Sequence, residues 1–254
     1  MNYGMYISAM GVQVQEYRQA VAANNLANAQ TNGFKRAIAN VQARPNAAVE
    51  DPAMRAYRVP VYGQMNGGVW AQPTGMDLTQ GTLVTSASKT DVALEGDGFF
   101  TVQGDNKETL LTRDGKFLVN SDGELVTANA GRKVLDSEGA AIKLNPTLPV
   151  DIGPKGEVTQ GDATVATLGV VKVSGPEAIE PIGGNALRVR PGFKTQPAGD
   201  ETQVRSGYTE QSGVDPIVEM VSMIEGQRVF EANARMISMQ DTMLQQVNAI
   251  GRIA

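Results

Sequence analysis

The sequence predicts an α+β fold in which paired N- and C-terminal helices form one discontinuous layer and an antiparallel β-rich domain lies between them. Three observations carry this. Tyr3, Ile7, Met10, Val14, Tyr17, Val21, Asn24 and Asn28 recur at spacings of four and three, one face of a helix. Near the other end, the adjacent apolar pairs Val229–Phe230, Met236–Ile237 and Met243–Leu244 repeat every seven residues, with Ile217, Val221, Ile224, Val247 and Ile250 widening the stripe. Between them, short apolar runs are separated by glycine-containing turns. The expected organisation is a terminal helical, coiled-coil-like assembly domain from residues 1–36 and 212–254, an extended connector over 37–75, and a β-rich domain over 76–211.

In the first helix, spanning about residues 1–28, Gly4 and Gly11 each cost about 1 kcal/mol relative to alanine, so the helix is marginal by itself. It should stop where Gln30, Thr31 and Asn32 compete for backbone hydrogen bonds and Gly33 tolerates positive φ. Phe34 then offers a large apolar surface that can anchor the chain beyond the turn. The last helix should begin at Pro216, with Asp215 capping its first amides.

Residues 37–74 show no sustained period and contain Pro45, Pro52, Pro60 and Pro73, which reads as connector with one short strand at 57–62. Strands are expected at 92–94, 99–102, 116–119, 124–127, 166–173, 186–190 and 203–207. Turns at 113–115, 121–123, 154–156 and 160–162 each include a glycine able to take the φ that tight hairpins need.

Composition restricts the chemistry. The 254 residues, 41% of them hydrophobic, suffice for a real core. A balance of 22 Lys+Arg against 27 Asp+Glu, with the cations scattered, gives no footprint for nucleic acid. The absence of cysteine and histidine removes thiolate nucleophiles, disulfides, most zinc sites and the commonest acid–base catalyst. Residues 1–15 carry no Lys or Arg and are interrupted by Asn2, Gly4, Ser8 and Gln13, so no cleavable secretory signal is expected. No run approaches the roughly 20 apolar residues of a membrane span. If the protein works outside the cytoplasm, another machine must export it.

Asp91, Glu95, Asp97 and Asp114 could be imagined as a paired-carboxylate hydrolase site in a secreted carbohydrate-active enzyme or binding module. Each sits at or beside a glycine turn, where aspartate bonds local backbone, and turn chemistry is the better reading. Glu95-Gly96-Asp97-Gly98 lacks the remaining ligands of a calcium loop. Met220, Met223, Met236, Met239 and Met243 read as packing residues that adapt to irregular gaps. No catalytic, metal or cofactor-binding residue is expected.

The stretch ANNLANAQTNGFKR at residues 23–36 resembles the N-terminal signature of the bacterial flagellar rod and hook family. DVALEGDGFFTVQ at 91–103 and SGVDPIVEMVSMIEGQRVFEANARMI at 212–237 resemble the same family. In length and in its single middle region the chain is similar to the rod types, the proximal ahead of the distal, and not to the much longer hook protein. The resemblance implies a non-enzymatic subunit of the periplasmic rod, self-associating helically and contacting other rod and hook-basal-body subunits. It also implies delivery by the flagellar type III export apparatus. On that reading Asn24, Asn25, Leu26, Asn28, Gly33 and Phe34 form an assembly hinge. Ile7, Met10, Val14, Tyr17 and Val21 face a helix interface, as do Ile217, Val221, Ile224, Phe230, Ile237, Leu244 and Val247.

Overall fold

The computed structural model describes residues 3–45, 67–106, 108–161, 163–199 and 201–250. The chain divides into two compact units, one from residues 1–26, 37–75 and 215–254, the other from 27–36 and 76–214. The expected strand at 57–62 lies outside the described residues.

The first unit holds two helices, α1 (Tyr3–Ala27) and α2 (Pro216–Ile250). Asp215 caps α2 as its sequence position implies: its Oδ1 accepts from Ile217 N at 2.9 Å, and Pro216 occupies the first turn without losing a useful donor. Where the sequence suggests only extended connector, Val41–Ala43 pairs antiparallel with Val69–Ala71. Three-residue strands whose partners are distant in sequence leave no readable period. The pair is positioned by α1: Tyr6 Oη donates to Gly67 O at 3.2 Å and Tyr17 Oη to Gln72 O at 2.9 Å.

The second unit is built of antiparallel β-strands, with a 3-10 turn at Pro176–Ala178. Its largest sheet has the order Ile179–Gly183, Ala186–Val189, Thr109–Thr112, Phe99–Gln103, Val170–Lys172, Gln196–Pro197. A three-stranded sheet of Val150–Ile152, Glu157–Gln160 and Ala163–Thr167 packs with it around a core that includes Phe100, Val102, Leu110, Phe117, Leu125 and Val158. Phe100 and Phe117 meet edge to face at 5.2 Å between centroids. The 121–123 and 154–156 turns are hairpins with the expected positive φ at Gly123 and Gly156. Gly161 also has positive φ, although residue 162 of that turn lies outside the described residues.

Two expectations require correction. Residues 113–115 do not reverse a hairpin: the preceding strand pairs with Phe99–Gln103 and the next, Phe117–Val119, pairs with Leu125–Thr127, so the chain changes sheets there. Gly115 is needed for space, since a Cβ on it would lie 1.7 Å from Val92 O. Likewise 166–173 is not one strand. Leu168 and Gly169 carry the chain from the three-stranded sheet to the six-stranded one, and a Cβ at Gly169 would meet Thr101 Oγ1 at 2.2 Å.

Candidate assembly surface and junction turn

Helices α1 and α2 run antiparallel, and small and polar residues mark their contact. A Cβ on Gly4 would lie 2.7 Å from Gln240 Nε2, and one on Gly11 would lie 2.8 Å from Asn233 Nδ2. Further along, Gln19 Nε2 donates to Gln227 Oε1 at 3.2 Å and Asn25 Nδ2 to Glu219 Oε1 at 3.3 Å. Gly4, Gly11 and Asn25 are separated by multiples of seven, as are Glu219, Asn233 and Gln240, the repeat by which helices wound gently around each other keep one register. The glycines that weaken α1 locally are therefore the points of closest approach.

This seam divides the apolar stripe of α2. Glu219, Met223, Gly226, Phe230, Asn233, Ile237 and Gln240 are the positions withdrawn from solvent, alternately four and three apart. Phe230 and Ile237 belong to them. Ile217 is 68% exposed, and Val221 and Ile224 are exposed too, while Leu244 and Val247 continue the seam spacing beyond Gln240 and are exposed there. The single broad face read from sequence is thus two faces, one used within the unit and one open. On α1, Val14 is buried and Ile7, Met10, Tyr17 and Val21 are half-buried. Tyr17 turns its hydroxyl to Gln72 and Thr74, and Met10 Sδ lies 2.5 Å from where a Cβ on Gly68 would be. These residues meet the 67–74 segment as well as flanking the helix seam.

Of the asparagine-rich signature, Asn25 is buried: its Oδ1 accepts from Ala37 N and its Nδ2 donates to Ala37 O, each at 2.9 Å. Asn24 is exposed and Leu26 half-buried. Asn28 begins the turn, its backbone O accepting from Thr31 N at 3.1 Å and its Oδ1 from Thr31 Oγ1 at 3.2 Å. Gly33 has φ 64°, the left-handed region, and a Cβ there would lie 2.5 Å from the carbonyl carbon and oxygen of Arg113. Its N–H donates to Glu210 O at 2.8 Å.

Phe34, expected as the buried anchor, is only half-buried, and the side chain buried after the turn is Lys35. Lys35 Nζ donates to Glu210 Oε1 at 2.8 Å and Thr79 O at 2.7 Å. The other Glu210 oxygen accepts from Arg113 Nε at 2.6 Å, and Arg113 also donates to the carbonyls of Leu94, Gly96 and Gly98. All three side chains are at most 3% exposed. Burial pushes the Lys35 ammonium below its ordinary pKa, and the bond to Glu210 opposes that shift. This cluster is invisible in the sequence because its members are scattered; the only signal is the polarity of Lys35 directly after an apolar residue.

The acidic turn residues have structural occupations. Asp91 accepts from Ser86 Oγ at 2.6 Å, Glu95 pairs with Arg205 at 2.6 Å, and Asp114 Oδ1 accepts from Lys116 N at 3.1 Å. Thr202 Oγ1 bonds the backbone carbonyl of Asp97. Among the described residues no group of three or more acidic side chains is arranged to hold a metal ion, and no helix is long and apolar enough to cross a membrane.

Three segments of the chain match known protein families. Residues 5–35 match the flagella basal body rod protein family, 93–172 the flagellar hook protein FlgE/F/G D1 domain, and 205–250 the flagellar basal body rod FlgEFG protein C-terminal family. The flagellar basal-body rod protein FlgF of Caulobacter vibrioides is 33% identical over 241 residues, covering 93% of both chains. This chain belongs to the flagellar basal-body rod family. The rod protein FlgG of Buchnera aphidicola (Schizaphis graminum) is 30% identical, over 97% of this chain and 98% of its own, and that of Bacillus subtilis is 29% identical over 96% and 97%. The rod protein is accordingly a structural protein of the basal body and not an enzyme, and its family match includes both the asparagine-rich turn and α2.

Proposed function

We propose that this rod protein is a subunit of the proximal type, the reading favoured by its 33% identity to a FlgF against 30% and 29% to FlgG proteins. In this reading residues 1–36 and 212–254 act as the assembly domain, with α1 and α2 forming one discontinuous helical layer. Copies stack helically on one another and on other rod and hook-basal-body subunits, making the drive shaft that carries torque from motor to hook across the periplasm. The contact is heterologous and non-closing, as a filament requires. The chain reaches that place through the flagellar type III export apparatus.

The observation that carries the reading is the open face of α2. Ile217, Val221, Ile224 and Met239 are all at least half exposed, and leaving so much apolar surface in water is unfavourable by about 25 cal/mol per Å². A neighbouring subunit covering it removes that cost. Methionine on such a face tolerates the differing environments that a curved assembly imposes.

The chain has no cysteine, so Ile224→Cys and Met239→Cys variants report neighbours directly. With a short thiol-to-amine cross-linker, which reaches a lysine of any neighbouring subunit, cross-linked species should form in isolated basal bodies and not in dilute purified protein. Normal incorporation without any cross-linked species, from either variant, would show that the open face of α2 does not meet another subunit.

A further inference from the structure

Glu210 lies where three segments of the β unit converge, each next to a point at which the chain passes between units. Residues 33–36 come just before the boundary at 36–37, residues 77–82 just after that at 75–76, and residues 210–213 just before that at 214–215. Backbone bonds link them in a ring. Asp77 N donates to Arg36 O, Gly33 N to Glu210 O, Gly213 N to Phe34 O and Gln211 N to Thr82 O, all at 2.8–2.9 Å. The Glu210 carboxylate reaches all three segments: Oε1 accepts from Lys35 Nζ and from Gly81 N, while Oε2 fastens the group to Arg113 in the sheet-changing turn.

We propose that Glu210 is the latch of this stem, so that the three segments close and open as one block on its carboxylate, separately from the β core. Two features support this. The cluster holds two buried cations on one buried carboxylate, so removing the carboxylate leaves both uncompensated in a place water does not reach. The core around Phe100, Phe117 and Leu125 has its own apolar basis, and the cluster touches it through the Leu94 carbonyl that accepts from Arg113. The order of the chain adds direction: Glu210 follows Lys35 by 175 residues and Arg113 by 97, so in a chain made from its N-terminus both cations precede the group that neutralises them. Within the β unit the stem therefore cannot close until nearly all of that unit has been made. The role is one of positioning and is separate from the assembly of subunits.

Native-state hydrogen exchange on the full-length purified protein tests it. In Glu210→Gln, which keeps shape and removes charge, the amides of Gly33, Asp77, Gly81, Gln211 and Gly213 should exchange faster together, by about tenfold or more, while those of Val102, Leu110 and Leu125 keep their protection. Lys35→Met leaves the carboxylate bound to Arg113 and Gly81, and should accelerate the same set. Acceleration confined to Gly81, the amide that directly loses its charged acceptor, would overturn the proposal. Equal loss across stem and core in both variants would overturn it too, since Glu210 would then be an ordinary core residue. No change in either variant is the third contrary result.

Discussion

Asn25 holds both polar groups of Ala37, accepting from its N–H and donating to its C=O at 2.9 Å each, from within the last turns of α1. A buried side-chain amide here does what a neighbouring strand would do, satisfying the backbone of the short strand Ala37–Ile38.

Asn25→Ala should therefore destabilise the helical unit by about 1–3 kcal/mol for each backbone group left unpaired. Asn25→Asp should be at least as damaging, because a carboxylate cannot donate to Ala37 O and would stand beside Glu219, whose Oε1 is 3.3 Å from the present amide. Thermal unfolding followed by far-ultraviolet circular dichroism separates these. An Asn25→Asp variant as stable as wild type near neutral pH would show that the amide donor is dispensable.

At Gly33, φ and space are both restrictive, and they can be separated. Gly33→Asn keeps a residue that enters the left-handed region readily, yet its Cβ still meets the Arg113 peptide at 2.5 Å. Gly33→Ala and Gly33→Val add the conformational penalty, of order 1–3 kcal/mol. All three should lower stability, Asn included, and should block assembly while subunit is still exported. If the Asn variant melts with wild type, positive φ alone is what the position demands. Phe34→Ala, half-buried as it is, should cost less than the roughly 3–5 kcal/mol typical of a fully buried phenylalanine.

Asp114 gives the protein a pH dependence of definite sign. Burial raises its carboxyl pKa, with Asp91 adding to the rise and the Lys116 amide and charge opposing it. Above the ordinary value of 3.8 the unfolded chain has released this proton while the folded protein still holds it. Its contribution is therefore fully present below that value and is lost as pH rises through the folded pKa. Asp114→Asn keeps the acceptor for Lys116 N and cannot titrate. Denaturant unfolding at a series of pH values should show wild type losing stability relative to this variant as pH rises from about 4. A constant difference would mean that the carboxyl titrates normally.

The two faces of α2 should respond differently to charge. Ile224→Asp, at an exposed site, should change monomer stability by no more than about 0.5 kcal/mol yet prevent incorporation into the rod. Phe230→Asp, on the seam with α1, should prevent incorporation and also unfold the helix pair, since it places a charge in a partly dry contact. Motility plates beside circular dichroism of purified protein read both effects. Normal swimming of an Ile224→Asp strain would exclude the open face as an assembly surface.

The helices, the cap at Asp215, the strands at 92–95, 99–103 and 203–206 and the hairpins at Gly123 and Gly156 are all legible in the sequence. Each rests on neighbours within a few residues: a repeat of three and four, a side chain reaching the second amide beyond it, or a glycine whose φ is set locally. Membership of the rod family is legible for the same reason, being carried by continuous stretches at residues 23–36, 91–103 and 212–237.

Only the tertiary structure decided which side of α2 is covered. Phe230 and Val229 are equally apolar and adjacent, and what separates them is where Gly4 and Gly11 let the first helix approach. It also decided that Gly115 serves a sheet change and not a hairpin, and that Lys35, not Phe34, is the residue buried behind the turn. Lys35, Arg113 and Glu210 lie up to 175 residues apart. Nothing in a local pattern connects them, because a buried charge is tolerated only where the rest of the fold delivers its partners.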